Sequence, residues 1–253
     1  MNNYNLISII TPTFNSEDFI GEVYKSIKNQ TYTNWEWVIT DDCSTDDTYD
    51  VISKLSKQDP RIKVFKNDIN SGAATTRNNS IVKSCGNYLA FIDSDDFWCC
   101  DKLEKQLEFM ESNCIDFSFT AFELIDGNNN KLNITVDSNQ ISPLSYEDML
   151  RKKATLGCST VMLRREAFTD ISMPNIRTGQ DYALWLKLLR SNVLAYPFSS
   201  ILTHYRILPG SISRNKFKKA KRQWEIYRKI ECLPLLKSLE CFSFYAWRAV
   251  FRK

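Results

Sequence analysis

Tyr88-Leu-Ala-Phe-Ile-Asp-Ser-Asp-Asp96 reads as a buried strand that ends abruptly in acid. A short apolar run of this kind suits a strand covered on both faces. Carboxylates at Asp93, Asp95 and Asp96 repel one another unless they are solvated or share a cation. Taken alone, Asp95 or Asp96 serves equally well as the opening of the helix that begins near Lys102.

Working outward, the same unit repeats. Residues 6–10 are apolar apart from Ser8 and stop at Pro12, which predicts a first buried strand ending in a loop. Ser16 is placed to cap a helix over 17–30, where Phe19, Ile20, Val23, Tyr24 and Ile27 recur at helical spacing. Residues 35–40 read as a second strand, 46–58 as a helix, 62–66 as a strand and 73–84 as a helix. Strand alternating with helix implies an α/β fold, a mostly parallel sheet flanked by helices. Ligands of open parallel sheets bind beyond the carboxyl ends of the strands. Thr11-Pro-Thr-Phe-Asn15, Asp41-Asp-Cys-Ser-Thr-Asp46 and Asp93-Ser-Asp-Asp96 all fall on that edge.

Past Asp96 the reading predicts a helix over 102–113, a strand over 116–124, a polar turn at Asp126, a strand over 160–164, a helix over 182–190, and a strand pair over 193–198 and 201–206. Residues 216–253 carry eleven Lys/Arg against three Glu, so the net charge of +3 hides an acidic body and a basic tail. An acidic body excludes nucleic acid as its partner, because that affinity rests on neutralised phosphates. The tail mixes its cations with Phe217, Trp224 and Tyr227, which suits an amphipathic helix on an anionic membrane surface; packing on the protein's own sheet, or on a second copy in a homo-oligomer, is the alternative. Met1-Asn-Asn-Tyr-Asn5 lacks the basic-then-apolar pattern of a signal peptide, and the eight cysteines lack metal-finger spacing. The expectation is a cytoplasmic protein with reduced thiols, peripheral on the inner face of the cell membrane.

Taken together, Ile7-Ser-Ile-Ile-Thr-Pro-Thr-Phe-Asn15, Asp41-Asp-Cys-Ser-Thr-Asp46, Asn70-Ser-Gly-Ala-Ala-Thr-Thr-Arg-Asn78, residues 86–96 and Gly179-Gln-Asp-Tyr-Ala-Leu-Trp-Leu186 resemble glycosyltransferase family 2 in order and spacing. The resemblance spans roughly residues 6–215. It implies a GT-A catalytic domain over 1–215 with a helical extension over 216–253. It further implies a UDP-sugar donor, Mn²⁺ or Mg²⁺ as cofactor, and transfer of a hexose or N-acetylhexosamine to a lipid-linked glycan acceptor of the O-antigen or capsule type.

Carried over by position, the likeness sets Pro12 and Phe14 against uracil, gives Asp42 a hydrogen bond to it, and brings Arg77 near the nucleotide. Asp93 and Asp95 hold ribose and metal with Asp96 adjacent, and Asp181 is the catalytic base, on a loop made by Gly179 and Gln180. Arg206 and Ser211 are candidate diphosphate contacts. Gly157, Cys158, Ser159 and Trp185 mark a candidate acceptor region. Cys43 stands where glycine is usual, Gln180 where glutamate is frequent, and Leu208 where some members place histidine. A nucleotidyltransferase would also join nucleotide to carboxylate-bound metal, but no glycine- and lysine-rich loop follows strand one. A non-catalytic nucleotide-sugar binding module is the other open reading.

Overall fold

The computed structural model describes residues 5–208 and 216–251. The expected alternation forms: β1 (Ile7–Thr13), α1 (Glu17–Lys28), β2 (Trp35–Asp41), α2 (Thr48–Gln58), β3 (Ile62–Lys66), α3 (Ala73–Lys83) and β4 (Tyr88–Phe91). These strands lie parallel in the order β3-β2-β1-β4. Every residue of β1, β2 and β4 is buried, as strands covered by helices on both faces require. Odd positions such as Ile7, Ile9 and Trp37 enter one core, and even positions such as Ile10 and Val38 enter the other.

Beyond β4 the sheet becomes mixed. It continues through β5 (Phe97–Trp98), β6 (Phe117–Ile125), β7 (Lys131–Val136), β8 (Val161–Arg164) and β9 (Tyr196–Arg206). The order runs on as β4-β8-β6-β9-β5, with β7 on β6. β8 is antiparallel to β4 and β6, whereas β9 runs parallel to β6. Helices α4 (Lys102–Ser112), α5 (Tyr146–Leu150) and α6 (Gln180–Leu189) cover this half.

Two expectations are corrected. β1 does not stop at Pro12 but runs through it, paired with Thr40. The Thr13 carbonyl accepts from Asp42 N on the β2 side, so Pro12 faces the β4 side, where pairing ends as Ile92 N donates to Ile10 O. A missing N–H costs nothing where no partner strand remains. The predicted strand pair over 193–206 is instead one strand, β9, which shifts register against β6 as Phe198 pairs with Thr120 and Ile201 with Ala121. The exposed Ser199 and Ser200 form the bulge between them.

The C-terminal extension comprises α7 (Lys216–Glu225), a π-helical turn (Ile226–Ile230) and α8 (Leu235–Phe251). Its inner face is welded to the body. Ile226, Tyr227 and Cys241 belong to the same core as Leu184 and Trp185, and Tyr227 Oη donates to Leu150 O. Ion pairs Arg190–Glu231, Arg151–Glu240 and Lys237–Glu147, each 2.7 Å, ring this contact. Through Ile226, Tyr227 and Cys241 the extension shares the body's core.

Candidate active site

The loops after β1, β2 and β4 are tied to one another by short polar side chains. Asn15, at φ 47°, donates its N–H to Ser44 Oγ (2.9 Å) and accepts from Thr45 N (2.9 Å). Ser16 occupies the N-cap position of α1 without capping it, because its hydroxyl pairs with Ser94 Oγ at 2.8 Å. Between these ties Phe14 stands 45% exposed, an aromatic face left open at a strand tip, while Pro12 is buried.

The two carboxylates closing β2 have different work. Asp41 accepts from Ser44 N (2.9 Å) and Ser44 Oγ (2.5 Å). Asp42 accepts from Asn67 Nδ2 (2.8 Å), Ser71 N (2.7 Å) and Gly72 N (2.8 Å), so it anchors the loop that starts α3. Burial acts to raise its pKa, but these donors outweigh it and hold the carboxyl below its ordinary value. Oδ2 keeps acceptor capacity for one more donor.

At the end of β4 the three acids separate into distinct roles. Asp93 is ion-paired with the buried Arg77 of α3. Among the described residues the Asp95 carboxylate has no hydrogen bond to another side chain; burial, then the Asp93 charge, raise its pKa to about 6. Asp96 is 1% exposed, accepting from Ser159 Oγ (2.5 Å) and from Arg206 N (2.9 Å). Burial and the charges of Asp95 and Asp93 push it well above the ordinary range.

Asp181 lies in the first turn of α6 rather than on a loop; Gly179, at φ 75°, is the N-cap. It belongs to the same electrostatic cluster as Arg77. Burial acts to lower the Arg77 pKa, but the charges of Asp93 and then Asp181 hold the guanidinium charged. Among the described residues Arg77 Nε and Thr13 Oγ1 are buried without a partner, two polar atoms at this edge that a bound ligand would satisfy.

Residues 8–172 match the family model for Glycosyl transferase family 2. The chain belongs to that family. The transferase is 45% identical over 245 residues to the putative teichuronic acid biosynthesis glycosyltransferase TuaG of Bacillus subtilis strain 168, covering 97% of this chain and 96% of TuaG. It is 38% identical over 224 residues to WfgD of Escherichia coli, a UDP-Glc:alpha-D-GlcNAc-diphosphoundecaprenol beta-1,3-glucosyltransferase, covering 87% of this chain and 85% of WfgD. Among solved structures it resembles S. aureus TarS 1–349 in complex with UDP-GlcNAc, with TM-score 0.77 at 20% identity over 97% of this chain and 73% of that one. At that identity the likeness is one of fold, and the fold is GT-A.

Several sequence expectations for the transferase are corrected by packing. Arg206 is 2% exposed and is a brace, not a surface for phosphate: Nε donates to Asp95 O (2.7 Å), Nη1 to Gly127 O (3.3 Å) and Asn129 Oδ1 (2.5 Å), and Nη2 to Glu22 Oε2 (2.6 Å). The Asp96 carboxylate accepts one protein donor on each oxygen, which fixes its orientation beside Asp95 and Asp93. In the expected acceptor region, Trp185 is fully buried, with Phe91 at its edge and Nε1 on Leu156 O. The Ser159 hydroxyl is used up between Asp93 N and Asp96. Cys158 is 3% exposed, its thiol pushed up by burial, and only Gly157 is partly open. Ser211 lies outside the described residues. His204 stacks on Phe97 at 4.6 Å, as a structural residue within β9.

Among the described residues no three His, Cys, Asp or Glu side chains form a ready-made metal cage. The donor set still suits a hard cation: Asp95 is unpaired, Asp93 gives Arg77 only one oxygen, and Mg²⁺ or Mn²⁺ commonly takes one or two carboxylates plus substrate phosphate. Sequence reasoning missed Lys102. Its amine is fully buried over the Trp98 ring (4.3 Å) and donates to Gln106 Oε1 (2.6 Å), and burial lowers its pKa to about 7. The one available signal was Gln106 inside the apolar stripe of α4. A cavity of about 330 Å³, lined by Glu22, Lys25, Phe97, Trp98 and Asn129, borders the Arg206 brace.

Proposed function

We propose that the chain is an inverting, metal-dependent transferase that moves a hexose or N-acetylhexosamine from a UDP-sugar onto a glycan acceptor carried by a lipid diphosphate, in O-antigen or capsule assembly. The observation that carries this reading is one electrostatic cluster at the carboxyl edge of the sheet: Asp93 and Asp95 after β4, Arg77 from α3, and Asp181 from α6. The wording of the WfgD name and the UDP-GlcNAc bound to TarS support the choice of donor and acceptor class.

In this reading Phe14 offers its open ring to the uracil, and Asp42 gives the base N–H its remaining acceptor site. Asp95, with the second oxygen of Asp93, holds Mn²⁺ or Mg²⁺. The ion, when bound, supplies Lewis-acid stabilisation of the departing diphosphate. Arg77 fixes Asp93 and keeps positive charge behind the phosphates. Asp181 takes the proton of the acceptor hydroxyl as it attacks the anomeric carbon from the opposite face, and one such base suffices for inversion.

The outer face of α8 fits an enzyme that works at a lipid surface. Leu235, Leu236, Leu239, Trp247 and Phe251 are 50–81% exposed there, and Lys218, Lys221 and Lys229 of the same extension are exposed as well. No helix of the described residues is long and apolar enough to cross a membrane. The reading is therefore a cytoplasmic enzyme held peripherally on the inner membrane face.

The test offers the purified chain a panel of UDP- and GDP-sugars with a GlcNAc-diphospholipid, with and without EDTA, alongside Asp181→Asn. Transfer from a UDP-sugar that EDTA abolishes and Asp181→Asn cuts by 10²-fold or more is expected. Full activity in the variant removes Asp181 as base, and EDTA-resistant turnover removes the cation.

A further inference from the structure

Most cations of the C-terminal extension are satisfied within the chain. Lys229 reaches Glu225, Lys237 reaches Glu147 and Glu240, and Arg228 donates to Leu233 O. Three are not: among the described residues Lys219, Lys221 and Arg222 have no hydrogen bond or carboxylate partner, and because Lys221 is exposed to solvent the half-buried pair is Lys219 and Arg222. They are three residues apart on α7, so they share a helix face. Both are half-buried, and the Lys219 amine is lowered first by burial and then by the Arg222 charge. Paired like charges held partly out of water are stabilised by an anion that bridges them.

Their place in the fold says which anion. Arg222 lies directly on Gly179: a methyl group added there would sit 3.0 Å from Arg222 Cδ and 3.0 Å from Nε. Gly179 is the N-cap of α6, two residues before Asp181, and its helix start has no side-chain cap. In an inverting displacement the base and the acceptor lie on the face opposite the leaving diphosphate. A cation pair beside the base therefore serves the acceptor, while Asp95 and Arg77 serve the donor.

We propose that Arg222 and Lys219 bind the diphosphate of the lipid-linked acceptor, setting the adjoining sugar's hydroxyl at Asp181. Arg222 supplies a planar fork for phosphate oxygens and Lys219 a point charge. The exposed apolar face of α8 belongs to the same extension, which keeps this anion site close to the lipid surface where such an acceptor resides. The inference rests on the acceptor class proposed above.

The test compares wild type, Arg222→Gln, Arg222→Lys and Lys219→Gln in full-length protein. Initial rates are measured against GlcNAc-diphospholipid and against octyl-GlcNAc, which lacks phosphate, with UDP-glucose or UDP-GlcNAc as donor. UDP-sugar hydrolysis without acceptor and the melting temperature are followed in parallel. The expected result is a rise of about tenfold or more in the KM for the diphospholipid with Arg222→Gln, partly recovered by Arg222→Lys. Donor KM, hydrolysis, melting temperature and use of octyl-GlcNAc stay at wild-type values. An unchanged diphospholipid KM in Arg222→Gln, with a wild type that uses that acceptor, overturns the inference alone. An equal rise in donor KM reassigns Arg222 to the donor phosphates and also overturns it. A wild type that turns over octyl-GlcNAc but not the diphospholipid refutes the acceptor class, and this inference with it.

Discussion

Replacing Arg206 with Gln separates a structural brace from a substrate contact. The guanidinium holds Asp95 O and Gly127 O, both backbone acceptors in part-buried settings, and it stacks on Phe19 at 4.8 Å. Its other partners, Glu22 and Asn129, are exposed enough for water to replace it. An orphaned buried acceptor costs about 1–3 kcal/mol, and the lost cation–π contact adds ~1 kcal/mol. The expected destabilisation is about 3 kcal/mol, or roughly 6–12 °C in melting temperature for a chain of this size. The assay is thermal unfolding by circular dichroism, paired with donor KM measured well below the transition. Unchanged melting with a donor KM raised tenfold or more would mean that Arg206 binds phosphate and that the brace is misread.

Further outcomes follow from the same geometry. Asp95, raised to about 6, binds its proton more tightly folded than unfolded, so its contribution to stability is greatest below about pH 4 and is lost as pH rises through about 6. In EDTA, Asp95→Asn should therefore be more stable than wild type at pH 7.5, by about 1 kcal/mol after solvent screening is discounted, with the gap closing toward pH 4 and reversing when Mn²⁺ and UDP are added; a gap independent of pH contradicts this. Gly179→Ala combines a left-handed backbone with a 3.0 Å contact on Arg222 and should destabilise by about 2 kcal/mol while lowering kcat, which urea unfolding and initial rates check. Cys43 adopts φ 62° where glycine is the usual family residue, so Cys43→Gly should leave stability unchanged or raise it by up to ~1 kcal/mol in the same unfolding assay.

The ends of β2, β3 and β4 were legible because they are announced locally: an apolar run followed at once by acid or by small polar residues. Helix faces followed from the same periodicity, and Ile20, Val23, Tyr24 and Ile27 are buried as the spacing predicts. What sequence hid is long-range pairing. Asp96 is adjacent to Asp95 in the chain, yet its oxygens are claimed by Ser159 and by Arg206, 63 and 110 residues away. Ser159 and Arg206 hold places in the family pattern that suit substrate contact, and only packing turns both inward. The β9 bulge was hidden for another reason. Ser199 and Ser200 interrupt the apolar run as a turn would, whereas in the sheet they are extra residues absorbed beside β6. The basic tail carried two readings, lipid-facing or packed, and α8 satisfies the packed one with its inner face while leaving the other face apolar and open.

The most direct test is a crystal structure of the transferase with UDP and Mn²⁺. The account predicts uracil on Phe14, the cation on Asp95, and the diphosphate on the side of Asp95 that Arg77 backs, with Asp181 facing it across the gap. A nucleotide seated instead in the cavity beside Glu22, Lys25 and Trp98, with Asp95 bare, would contradict it.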